Sequence, residues 1–157
     1  MIEPYQWLQA NAATLGLLGC HLGPCSADLT LGPQIRAYRE QAQSLYTLAE
    51  GVPLTLHAGW FYLVSTHEVL CVPPTHCAFV HMRSSLARQG LGHKMAGLID
   101  PGFCGQVTLE LEASLDVTVL VGAPLVQVTF HRLMAETTRP YAGRYQGQRG
   151  PTEAYHA

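Results

Sequence analysis

From Pro53 to Phe130 the chain is a succession of short apolar runs, and no helical stretch separates them. PLTLH (53–57), WFYLVS (60–65), CAFVHM (77–82), QVTLELEA (106–113), VTVLV (117–121) and LVQVTF (125–130) are rich in β-branched and aromatic residues and are divided by Gly, Pro or Asp. Strands that follow one another without crossover helices pair mainly antiparallel and fold back on themselves, so the runs predict a mainly β sandwich, barrel or jelly roll. The clearest alternation lies at 106–112. Val107, Leu109 and Leu111 point to one side, while Gln106, Thr108, Glu110 and Glu112 point to the other. Two carboxylates therefore share one strand face with a threonine.

The flanks are different. Residues 4–14 suit a short helix, with Pro4 in the first turn and Trp7 and Leu8 as apolar anchors. Residues 34–49 are rich in helix formers and predict a second helix, although their apolar spacing is loose. The end of the chain, RPYAGRYQGQRGPTEAYHA, has the composition either of a frayed terminus or of a mobile lid whose Arg and Gln donors close over an anion. Neither a repeat nor a linker divides the 157 residues, so residues 1–157 read as one domain with 139–157 as its tail.

Charge narrows the function classes. Only 13% of residues are charged against 48% hydrophobic, and the net charge is -2, which argues against a nucleic-acid coat and leaves outer surface to bury against other subunits. Eight of the nine cations are Arg, and seven of the nine lie from Arg83 onward. The planar fork of Arg suits phosphate and carboxylate. Five cysteines, an odd number, with no basic segment ahead of an apolar stretch, read as a reduced cytoplasmic protein, and the run at 12–19 is too short and Gly-broken for a membrane span.

Three segments carry candidate chemistry. Cys71, His76 and Cys77 resemble a ligand cluster, yet no second pair stands at finger spacing, and the zinc deaminase pattern H-x-E with P-C-x-x-C is absent; buried thiols are the plainer reading. Arg83-Ser84-Ser85-Leu86-Ala87-Arg88 places two guanidinium groups and two hydroxyls at a strand-to-turn junction, which suits an anion cradle or a Ser-capped surface helix. Ala96 to Gly105 holds Asp100-Pro101-Gly102, a turn signal that predicts a hairpin and lets a ligand approach the backbone. Glu110 follows on the polar face of the next strand, where it is either a general base or a solvated residue.

Taken together, RSSLARQGL (83–91), AGLIDPGFCGQVTLELEA (96–113), RPY (139–141) and RYQGQRGPT (144–152) resemble the dCTP deaminase family, a branch of the dUTPase-like superfamily. SADLTLG (26–32) and GAPLVQVTF (122–130) are similar to its intervening segments. The resemblance implies a distorted β-barrel or jelly roll of the dUTPase-like type, assembled as a homotrimer with active sites at subunit interfaces. It implies hydrolytic deamination of dCTP to dUTP and ammonia, without zinc, with Mg²⁺ carried on the triphosphate.

Residue roles follow from the same resemblance. Glu110 matches the catalytic glutamate, and Ser84 and Arg88 match the pair that positions the attacking water and supports charge near C4. Arg83 and Ser85 fall on triphosphate-facing positions, Ala96 lines the base pocket, and Asp100 sits beside the deoxyribose. Tyr141, Arg144 and Gln148 match tail positions that close over sugar and phosphates, and His93 matches a family histidine. Without a metal to acidify water, a carboxylate must take the proton and a cation must support the adduct.

Two positions depart from the pattern. Arg144 stands where Lys is usual. Met95 stands where Thr is common, which would reshape the base pocket toward a 5-substituted cytosine and puts dTTP feedback in question. Three alternatives accompany the main reading: a bifunctional enzyme taking dCTP to dUMP and pyrophosphate, a dUTPase, and a non-catalytic nucleotide-binding regulator. Pro101-Gly102-Phe103 and Glu110 favour a deaminase over a dUTPase, and an intact Glu110, Ser84 and Arg88 speaks against a pure binder.

Overall fold

The structure, a computed structural model, describes residues 1–40, 42–94 and 96–154. All six anticipated runs are strands, in the order α1 (Tyr5–Leu15), β1 (Ala27–Arg39), β2 (Ala42–Thr47), β3 (Pro53–Leu56), β4 (Phe61–Cys71), β5 (His76–Met82), α2 (Ser84–Ala87), β6 (Leu91–His93), β7 (Leu98–Ile99), β8 (Cys104–Ala113), β9 (Val117–Leu120) and β10 (Pro124–Arg132). The fold is mainly β, as the sequence predicts. One curled sheet runs β6-β8-β4-β1-β10-β5-β7, with β2 paired on β1, and β3 and β9 form a separate two-stranded ribbon.

Two of the flanking expectations divide. The N-terminal helix is present, shifted by one residue. The second helix is not. Residues 34–39 extend β1 and residues 42–47 return as β2, with Gln34 opposite Thr47 and Arg39 opposite Ala42. Helix propensity loses here because strand partners outbid it: the same β1 segment also pairs with β4, from Ile35 opposite Val64 to Tyr38 opposite Phe61.

β1 bends the sheet. Its first residues, Ala27 to Thr30, pair with β10, and its later residues pair with β4. The register slips at Leu29/Thr30, and β4 bulges between Ser65 and Val69. Side chains replace the ladder bonds lost there. The Glu68 carboxylate accepts from Thr30 N–H at 2.9 Å and Thr30 Oγ1 at 2.7 Å, while Thr66 Oγ1 accepts from Val107 N–H at 2.9 Å.

A single apolar cluster joins Leu29, Leu31 and Ile35 of β1 to Leu109 and Leu111 of β8 and to Val126, Val128 and Phe130 of β10. Leu56 and Val117 bring the small ribbon into the same cluster. On β8 the predicted alternation holds, with Val107, Leu109 and Leu111 buried and Glu112 exposed. No helix among the described residues is long and apolar enough to cross a membrane. Cys71 and Cys104 stand directly opposite each other on β4 and β8 and are joined as a disulfide, which corrects the reduced set that the odd cysteine count predicts; Cys20, Cys25 and Cys77 are free.

The helix α1 closes on Gly16, whose φ of 76° is left-handed. A Cβ there would lie 1.8 Å from the Val69 carbonyl oxygen. Gly16→Ala should therefore combine the left-handed strain, about 1–2 kcal/mol, with forced displacement of the β4 bulge. A clear fall in Tm by calorimetry is expected, and an unchanged Tm would show that this cap does not anchor α1 to the sheet.

Candidate active site

Beside β8 lies a cavity of about 580 Å³, within the range of small-molecule sites. Its wall brings together Ala96, Asp100, Phe103, Glu110, Tyr141 and Gln148, residues from the 96–103 segment, the strand and the tail. Glu110 comes from the polar face of β8, directly opposite Leu63 of β4, which also lines the cavity. That apolar strand wall keeps water away from one side of the carboxylate.

Behind Glu110 stands His93. β6 pairs along β8, with His93 opposite Leu111, and the Lys94 N–H donates to the Glu110 carbonyl at 2.9 Å. This places His93 Nε2 3.2 Å from Glu110 Oε2. The imidazole is buried, with its side chain only 6% exposed, and neither atom has a well-aligned hydrogen bond. A carboxylate in this state keeps acceptor capacity for a substrate or a water. Glu112, two residues on, instead pairs with Lys94 outside the cavity.

Asp100 begins the turn that the sequence predicts, with Phe103 N–H donating to its carbonyl at 3.2 Å. The expected hairpin, however, does not form. β7 pairs with β5 on one edge of the sheet and β8 pairs with β4, so the turn carries the chain between edges. Gly102, at φ 89°, gives the tail its seat: a Cβ there would lie 2.7 Å from Pro140 Cβ. Tyr141 N–H then donates to the Pro101 carbonyl at 2.7 Å, and its ring meets Phe103 edge-on at 5.8 Å.

The tail runs along the open side of β8 through turns rather than as a regular strand. β6 covers β8 only at 111–113, which leaves backbone groups at 104–108 in need of partners. Gly147 N–H donates to the Cys104 carbonyl at 2.9 Å, Gln106 N–H to the Gln148 carbonyl at 3.0 Å, and Thr152 N–H to Thr108 Oγ1 at 3.1 Å. Gln148 Nε2 donates to the Gln106 carbonyl at 2.7 Å, and its Oε1 is buried without a partner beside the cavity.

Other predicted residues lie elsewhere. Ser84 and Ser85 are exposed on the single turn α2 and Arg88 is exposed just after it, and neither they nor Arg83 line this chain's cavity. No side chain caps that turn, so the Ser-capped helix is not what forms. Arg83 Nη1 lies 3.6 Å from the buried carboxylate of Asp28, which also accepts from Gln127 Nε2 at 3.2 Å. Arg144 is exposed and outside the lining, and Met95 lies outside the described residues. Cys71, His76 and Cys77 have separate partners: the disulfide, Glu3 with Thr75, and the His131 carbonyl. Sequence reasoning missed Phe61, Leu63, Tyr145 and Thr152 of the lining. Only strand register reveals the first two, because their sequence signal is that of any buried strand.

The model of the dCTP deaminase-like family matches residues 12–133, more than half of the chain and inclusive of Ser84, Arg88, Asp100 and Glu110. This chain belongs to the dCTP deaminase-like family. A relative from Mycobacterium leprae, named dCTP deaminase, dUMP-forming, is 42% identical over 122 residues, which cover 73% of this chain and 64% of the relative. A relative of the same name from Beutenbergia cavernae is 39% identical over 150 residues, covering 82% of this chain and 78% of the relative. One from Nocardia farcinica is 42% identical over 150 residues, covering 82% and 75%. Among solved structures, the 2'-deoxycytidine 5'-triphosphate deaminase from Agrobacterium tumefaciens superposes with a TM-score of 0.70 at 21% identity, covering 82% of this chain and 47% of that one. That likeness is one of fold. The chain spans 64% of the length of the Mycobacterium leprae relative.

Proposed function

We propose that the protein hydrolyses dCTP to dUMP, pyrophosphate and ammonia, with the cavity around Glu110 as one half of an active site completed by another copy of the chain. The observation that carries this reading is the pairing of Glu110 and Asp100 in one nucleotide-sized cavity. The product assignment departs from the dUTP-releasing reaction that the sequence put first. The relatives are named dUMP-forming, which favours the alternative.

The overall reaction consumes two waters. The first adds at C4 of the cytosine ring and expels ammonia, giving dUTP in the site. The second attacks the α-phosphorus and expels pyrophosphate, leaving dUMP. Glu110 takes the proton of the first water, passes it to N3, and then helps protonate the departing amine. Asp100 is the second carboxylate within reach of the bound nucleotide and suits the second water. Substrate is dCTP with its own Mg²⁺, which offsets charge on the phosphates.

Ser84, Ser85, Arg83 and Arg88 supply the water-positioning and phosphate-facing groups from a neighbouring subunit of a homotrimer. The exposure of Ser84, Ser85 and Arg88 on and just after α2, away from the cavity of the same chain, supports that division. Incubation with Mg²⁺ and dCTP should give ammonia, pyrophosphate and dUMP in equal amounts with no build-up of dUTP. Accumulation of dUTP without pyrophosphate would return the protein to the deaminase-only reading.

A further inference from the structure

The tail does more than line the cavity. Beyond Gly150, whose N–H donates to Gln106 Oε1 at 2.7 Å, it keeps the Thr152 bond to β8 and also reaches β1. Thr152 and Ala154 line the cavity, whereas Glu153 between them is held by Tyr38 and Gln43, which do not. Its carboxylate is gripped from three sides. Arg36 Nη1 lies 3.3 Å from Glu153 Oε2, Tyr38 donates its hydroxyl to Oε1 at 3.1 Å, and Gln43 Nε2 donates to Oε1 at 2.7 Å. Arg36 uses the rest of its fork on the same segment, with Nε donating to the Pro151 carbonyl at 3.0 Å. None of these three partners lines the cavity.

We propose that Arg36 is a positioning residue that latches the C-terminal strap over the nucleotide site by holding Pro151 and Glu153, and so fixes Thr152 and Ala154 in the cavity wall. The proposal rests on the functional reading above for its kinetic consequences only. The seat is part of the sheet. Arg36 sits opposite both Leu45 of β2 and Leu63 of β4, and Tyr38 packs on Phe61 at 5.5 Å. Leu63 and Phe61 line the cavity themselves, so the latch and the wall share one piece of sheet. Burial and the neighbouring Glu153 carboxylate push the Tyr38 hydroxyl up from its ordinary value, which keeps it a donor. The β1–β2 hairpin, which no catalytic role requires, thereby gains a function: it carries Arg36, Tyr38 and Gln43.

The contact is partly open to solvent, with side chains 23% and 46% exposed, so its effect is moderate and salt-sensitive. Four proteins test it: the native chain, Arg36→Glu, Glu153→Arg, and the two changes together. Each single variant should raise KM for dCTP roughly five-fold, the scale of one partly exposed charged contact, with kcat nearly unchanged. Each should also be cut faster by chymotrypsin after Tyr141 or Tyr145. The double variant should recover part of both values, because the reversed pair restores the charge attraction but not the Arg36 bond to the Pro151 carbonyl or the donations from Tyr38 and Gln43.

Singles with native KM and native cleavage rate would overturn the latch. So would a double variant as loose as either single, or a fall in Tm that the reversal does not restore, since both describe a structural role. If the native protein does not turn over dCTP, the functional reading fails by itself. The cleavage comparison, which needs no nucleotide, still judges the latch.

Discussion

Glu110→Gln should remove turnover of dCTP while leaving its binding nearly intact. The amide keeps the size and reach of the carboxylate but cannot accept the water proton, so the loss falls on kcat rather than on KM. A general base contributes about 10²–10⁴-fold, and the loss here should fall in that range. The position of His93 sharpens the expectation. Its buried Nε2, 3.2 Å from Glu110 Oε2, faces an amide in the variant, so binding measured by calorimetry should survive with a small shift at most.

Glu112→Gln is the internal control. It lies on the same strand face, pairs with Lys94, and does not line the cavity, so most activity should remain. A Glu110 variant that deaminates at a tenth of the native rate or better would show that the base is elsewhere, with Asp100 the next residue to change.

The alternation at 106–112 was legible because strand periodicity and burial obey the same two-residue repeat; it correctly put Glu110 and Glu112 on the polar face. What separates the two carboxylates is not periodic. It is the reach of β6, which ends at His93 and sets an imidazole beside one and an ammonium beside the other. The helix predicted at 34–49 failed for a related reason. Arg36, Tyr38 and Gln43 suit either state locally, and only pairing with β4 decides for strand. The hairpin expected around Asp100 failed because a turn signal specifies a reversal, not which strands meet after it.

Long-range partners were invisible by the same logic. Cys71 and Cys104 are 33 residues apart, Arg36 and Glu153 well over a hundred, and no spacing rule joins either pair. The family resemblance supplied Ser84 and Arg88 as partners of Glu110. The structure places them outside the cavity of their own chain, which makes the second large expectation one about assembly.

Two inactive proteins should regain activity when their subunits are mixed. Glu110→Gln lacks the base, and Arg88→Ala lacks the proposed support for the developing charge; each alone should be nearly silent. If every site takes Glu110 from one subunit and Arg88 from another, some sites in a mixed trimer contain neither change. For random equimolar exchange after unfolding and refolding, each of the two contributors is native half the time, so about a quarter of native activity should return. If both groups act from the same chain, every site carries one defect and mixing restores nothing. Light scattering on the mixture checks that trimers re-formed, so a silent mixture of intact trimers would overturn the shared site and place α2 in a role unrelated to the cavity.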